Sequence, residues 1–103
     1  LIEVNIAREP QKYGVSPEEA LALAERIAQL PNLQLEGFMG MAPIVEQAEQ
    51  ARPYFAELRR LFEQLPEANR LHLSMGMTQD FEVAIEEGAT MVRIGTAIFG
   101  ARA

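Results

Sequence analysis

The chain has 103 residues and a formal charge of −6, from 15 acidic against 9 basic side chains. The basic residues are scattered on this acidic background, which argues against nucleic acid and against an anionic membrane surface as partners. Without cysteine there is no disulfide framework, thiol nucleophile or thiolate metal site, and with His72 as its one histidine a protein-built zinc site is not expected.

The length fits one domain but only about half of an eight-stranded barrel. Leu1-Ile2-Glu3-Val4-Asn5-Ile6 already reads as an inner strand, with no initiator Met and no signal-peptide pattern. Residues 1–103 are therefore expected to form one partial domain, the C-terminal piece of a longer protein, and the cysteine-free composition suits a reducing cytoplasm.

Strand-like and helix-like periods alternate along the chain, the pattern of parallel strands joined by crossover helices, and give four βα units. The first strand runs from Leu1 to Ile6. Its helix opens at Ser16-Pro17-Glu18-Glu19, with Ser as N-cap, Pro at the first helical position and Glu19 completing a capping box. Ala20, Leu23, Ala24 and Ile27 recur on one face before Pro31-Asn32 stops the helix. The second strand covers Gln34 to Met39, and the helix of Gln47 to Gln64 carries Pro53 in its first turn and an apolar stripe of Ala51, Phe55, Leu58 and Phe62. The third strand is Arg70 to Ser74; Thr78 is the expected N-cap of a short helix that turns Phe81, Ala84 and Ile85 inward and ends at Gly88. The fourth strand is Met91 to Ile94, with a last helical turn starting near Thr96.

Gly37, Gly40, Gly76 and Gly95 are expected at the C-terminal ends of strands two to four, the face on which barrels carry their sites. Ser74-Met75-Gly76-Met77 and, about twenty residues on, Arg93-Ile94-Gly95-Thr96 form two glycine-broken strand ends whose backbone amides suit a phosphate. Arg93 lies among apolar neighbours, where a guanidinium is costly unless something specific accepts its donors: a ligand, or an acidic side chain on a neighbouring strand. The glutamates fall mainly on helix faces. No acid pair suits a glycosidase, and no nucleophile, base and orienter set suits acyl transfer.

These residues resemble the C-terminal half of the pyridoxal-phosphate homeostasis proteins, the YggS/PROSC-like group, whose fold is similar to an alanine racemase barrel without its second domain. The resemblance rests on Val4-Asn5-Ile6, Lys12-Tyr13-Gly14, Gly37-Phe38-Met39-Gly40-Met41, Leu73-Ser74-Met75-Gly76-Met77-Thr78 with Asp80, and Met91 through Gly100. It implies an α/β fold, the C-terminal half of a (β/α)8 TIM-type barrel, and pyridoxal 5′-phosphate (PLP) as cofactor. Ser74, Met75 and Gly76 then form one part of the phosphate cup and Gly95 with Thr96 the other, while Arg93 matches the arginine that faces the pyridine nitrogen. The cofactor lysine of such proteins lies on an early strand, so the Schiff-base lysine is expected upstream of Leu1; Lys12, in a loop, is not assigned that role.

Asn5 either reaches the ring oxygen or bonds another strand. Met39, Met41, Met75 and Met77 either pack around the barrel mouth or touch the ring, and His72 reads as an inner-strand residue. The resemblance implies a PLP-binding protein of vitamin B6 homeostasis without a dedicated reaction, with the upstream half of the barrel, or another copy of the chain, and PLP-accepting proteins as further partners. Two alternatives stand: a single-domain PLP-dependent amino-acid racemase, and a barrel acting on another phosphorylated ligand. The open face of such a half barrel is expected to carry Val4, Ile6, Leu35, Leu73 and Val92 or their alternate neighbours, flanked by two open sheet edges.

Overall fold

A computed structural model describes residues 1–10 and 13–93. In chain order it contains β1 (Ile2–Glu3), α1 (Pro17–Ala28), β2 (Gly37–Met39), a 3-10 turn (Ala48–Ala51) running into α2 (Arg52–Glu63), a second 3-10 turn (Glu67–Asn69), β3 (His72–Met77), α3 (Phe81–Glu86) and β4 (Met91–Arg93). The strands form one sheet in the order β1-β2-β3-β4, and every pair is parallel, as the alternating pattern predicts.

The register sorts the side chains into two faces. Ile2, Phe38 and Leu73 lie in one row, and Glu3, Met39, Ser74 and Met91 in the next. The first row is buried together with Ala20 and Ala24 of α1, Phe55, Leu58 and Phe62 of α2, and Val83 and Ala84 of α3. Each large apolar side chain buried there is worth roughly 1.5 to 3 kcal/mol in transfer free energy. All three helices thus cover the same face of the sheet. A doubly wound sheet would place helices on both faces; a section of a (β/α)8 barrel places them on one. The other, concave face carries Glu3, Asn5, Met39, His72, Ser74, Met91 and Arg93. Of the two sets expected on it, the alternate neighbours are the ones found: Val4, Ile6, Leu35 and Leu73 are buried in the helix-facing core.

The outer edge of β1 is less open than expected. Val15 returns alongside it as a parallel bridge to Val4, its N–H donating to the Glu3 carbonyl and its carbonyl accepting from the Asn5 N–H. The chain's own loop therefore closes that edge at the C-terminal end of the strand.

Several expectations shift. Ser16 does precede α1, but its hydroxyl bonds the Glu19 carboxylate at 3.0 Å and not a helix amide. Gly37 opens β2 instead of ending it, and a Cβ there would stand 1.8 Å from the His72 carbonyl oxygen. The N-cap of α3 is Asp80, not Thr78, because the Asp80 carboxylate accepts the Met77 N–H at 2.7 Å while its own N–H donates back to the Met77 carbonyl. That reciprocal pair holds residues 77–80 as a turn. Of the three side chains expected inward, Ala84 is buried and Phe81 half-buried, while Ile85 is 53% exposed and Val83 takes its place in the core. Gly88 ends α3 as expected, in a left-handed conformation with φ of 103°. Ile94 and the helical turn expected near Thr96 lie outside the described residues.

Candidate functional site

β3 runs past Ser74 to Met77 because of a bulge. Its register with β4 slips between Ser74↔Met91 and Met77↔Arg93, so three steps on one strand match two on the other. Met75, 2% exposed, points into the helix-facing core, and a Cβ on Gly76 would also point that way, 2.7 Å from the Ala84 Cβ and 3.2 Å from the Val92 Cγ1. Two successive positions thus face the helices, and Met77 returns to the concave face opposite Arg93. Gly76 takes φ of 104°, which combines with the close approach of α3 to demand glycine. The bulge bends the strand end at the place where the sequence suggests a phosphate cup.

Around this bulge the concave face forms a shallow depression between Met39, Gly40 and Met41 after β2, Ser74 to Met77 on β3, and Arg93 on β4. Ser74 is 9% exposed, and because no fully buried side-chain oxygen among the described residues lacks a partner, its unbonded hydroxyl keeps some opening to solvent. The exposed Arg93 guanidinium finds only a soft acceptor among them, the Met39 sulfur, 3.9 Å from its Nη2. A hydroxyl and a permanent cation thus share one face, neither with an oxygen or nitrogen acceptor among the described residues.

The other residues singled out from sequence divide clearly. Met75 brings only its main chain to the depression, its side chain being core. Asn5 lies on the rim at the end of β1, where its amide nitrogen donates to the Glu9 carbonyl at 2.9 Å and its amide oxygen accepts the Glu9 N–H at 3.3 Å. Its side chain therefore ties down the following loop and bonds no other strand. Gly95, Thr96 and Lys12 lie outside the described residues. His72 is exposed at the N-terminal end of β3, the far end from the depression. Met39, Met41 and Met77 line the depression, a position that fits both packing at the barrel mouth and contact with a ring.

One feature had no signal in the sequence, and a second stood there only as part of the Lys12-Tyr13-Gly14 motif. Arg8, with φ of 56°, donates to both carboxylate oxygens of Glu57 on α2 and to Glu18 on α1, clamping the loop after β1 to two helices. Tyr13, 85% exposed, stands beside Asn5 and Met41 at the same rim. A non-glycine residue in the left-handed region is uncommon, and neither it nor a pairing across 49 residues leaves a local pattern to read.

Four parallel strands with their helices on one face define a section of a (β/α)8 barrel, with Ser74 of β3 and Arg93 of β4 on its open face. The chain belongs to the alanine racemase N-terminal domain family, which it matches over residues 1–103. It is 51% identical over 105 residues to the pyridoxal phosphate homeostasis protein of Aquifex aeolicus and 45% identical over 106 residues to that of Escherichia coli K12, covering 99% of this chain in both. It spans 46% and 44% of those relatives, about half their length. Among solved structures it is similar to PipY of Synechococcus elongatus without PLP, with a TM-score of 0.83 at 35% identity, covering 96% of this chain and 48% of that one. The PLP-bound form of PipY superimposes with a TM-score of 0.72 at 34% identity, covering 95% and 49%.

Proposed function

We propose that the chain forms the C-terminal half of a (β/α)8 barrel that binds PLP and serves vitamin B6 homeostasis in the cytoplasm, without a dedicated metabolic reaction. The observation that carries this reading is the Ser74 and Arg93 pair: two donors on adjacent strands, facing one depression, with no oxygen or nitrogen acceptor among the described residues. The name of the relatives at about half sequence identity supports it.

The donor set fits PLP. Ser74 and the main chain of Met75 and Gly76 would hold the phosphate, with Gly95 and Thr96 proposed as its further partners. Arg93 would face the pyridine nitrogen. Asn5, just after β1, holds the Glu9 turn at the rim and would flank the cofactor from that side. PLP itself brings an aldehyde that captures amines and a ring that withdraws electrons. A guanidinium is always protonated, so Arg93 donates a hydrogen bond to the ring nitrogen without passing it a proton and leaves the ring a weak electron sink. That suits retention and release of the cofactor better than racemisation. The upstream half closes the barrel over the concave face and supplies the lysine.

The test is titration of the complete protein with PLP, followed by visible absorbance and calorimetry, with Ser74→Ala alongside. One PLP per barrel is expected, bound about tenfold more weakly by Ser74→Ala, the loss expected for one hydrogen bond to a charged group. No binding, or binding indifferent to Ser74, contradicts the assignment, and racemisation of alanine above background favours the enzyme reading.

A further inference from the structure

The contact between Met39 and Arg93 has chemistry of its own. A thioether sulfur is a weak acceptor, yet among the described residues it is the sole acceptor that Arg93 reaches, at 3.9 Å. Met39 is half-buried in the middle of the concave face, in register with Ser74. Met75 is shielded in the core, so the two sulfurs experience different access to small oxidants.

We infer that Met39 is an oxidation-sensitive site, and that its sulfoxide captures Arg93 and lowers the protein's hold on PLP. Hydrogen peroxide is the oxidant. The sulfur lone pair attacks one peroxide oxygen, the S–O bond forms as the O–O bond breaks, and water leaves; the sulfur is oxidised by two electrons and the peroxide reduced by two. The product carries a strongly polar S–O acceptor beside a guanidinium that had only a thioether. A charge-assisted hydrogen bond replaces a weak contact. Arg93 then has an internal partner that competes with the ring nitrogen, and the apolar floor beside Ser74 becomes polar. Methionine sulfoxide reductases reverse the change, which makes it a switch and not only damage.

This inference rests on the PLP reading above, and the experiment separates the two. The complete protein and Met39→Leu are each titrated with PLP before and after mild peroxide treatment, and Met39 and Met91 oxidation is read by peptide mass spectrometry. The expected result is Met39 sulfoxide with about tenfold weaker PLP binding, restoration by the reductases, and an oxidised-to-reduced ratio near one for Met39→Leu. Equal losses in both proteins overturn the inference. So does full Met39 oxidation without loss of affinity, or a Met39 that stays reduced while Met91 is oxidised. Failure of the untreated protein to bind PLP overturns the functional reading and, with it, the cofactor consequence. The contact itself is decided separately by Arg93→Ala, which is expected to speed oxidation of Met39 relative to Met91 because it removes the neighbouring cation and its cover. An unchanged ratio of the two rates shows that Arg93 does not guard the sulfur.

Discussion

Arg8 and Glu57 meet in a two-pronged ion pair, the guanidinium nitrogens standing 2.7 and 2.6 Å from the two carboxylate oxygens. A third contact, 2.8 Å to Glu18, joins the N-terminal turn of α1 to the same cation. The backbone of Arg8 accepts a left-handed φ of 56° to make this reach. Two effects therefore oppose each other at one residue: the ion pairs hold the loop, and the backbone is strained for any side chain but glycine. Arg8→Ala loses the pairs and keeps the strain, whereas Arg8→Gly loses the pairs and relieves it. Thermal unfolding should rank the complete protein as wild type, then Arg8→Gly, then Arg8→Ala. An Arg8→Ala protein as stable as wild type would show that the clamp contributes nothing.

The same clamp predicts a pH dependence. Hydrogen bonding from Arg8 holds the Glu18 carboxyl below the usual carboxylate range, and hydrogen bonding from Arg52 does the same for Glu49. Because the folded values are lowered, the unfolded chain takes up protons first on acidification. Their contribution is complete above the ordinary glutamate value of about 4.3 and fades as pH falls below it towards the folded values. Denaturant midpoints should be level from neutral pH to about 5 and decline below about 4.3, with a smaller decline at high salt because both carboxylates are exposed. A midpoint that rises on acidification through this window contradicts the assignment.

Gly76→Ala tests the bulge. Its Cβ would meet the Ala84 Cβ at 2.7 Å on a backbone with φ of 104°, and strain of this kind costs about 2 kcal/mol. Urea unfolding should show this loss, and PLP affinity should fall with it because the bulge sets Met77 opposite Arg93. A stable Gly76→Ala protein would mean that the strand end is not bent as described.

Much of the fold was legible because it follows from periodicity. The alternation of strand and helix fixed the parallel sheet, and Ala51, Phe55, Leu58 and Phe62 are all buried where the 3.6-residue stripe placed them. What escaped was decided by single contacts. Thr78 and Asp80 are both good caps before the same apolar run, and only the Met77 to Asp80 bond selects between them. Packing against the sheet and α2 then puts Val83 and Ala84 inside and leaves Ile85 exposed. Val83→Ala should accordingly cost about 1 to 2 kcal/mol, while Ile85→Ala should stay within about 0.5 kcal/mol of wild type, measured by denaturant unfolding. The reverse order would mean that Ile85, not Val83, faces the core.

In the candidate site, Ser74, Gly76 and Arg93 were readable because polar and glycine residues interrupt apolar strands. The engagement of Asn5 with Glu9 was not, since a rim asparagine in an apolar strand has the same sequence appearance whether it faces a ligand or its own loop. The alternation of faces was equally ambiguous: shifting a strand by one residue exchanges its two faces, and only packing against α1, α2 and α3 shows which set the helices cover.

The most direct test of the account is Arg93→Glu in the complete protein, with PLP affinity measured by calorimetry and visible absorbance. The substitution replaces a donor with a charge that repels both the ring nitrogen's lone pair and the phosphate. The account predicts at least about a tenfold loss of affinity, equivalent to about 1.4 kcal/mol, in a protein that remains folded because Arg93 is exposed. Unchanged PLP affinity in Arg93→Glu would contradict it and remove Arg93 from the site.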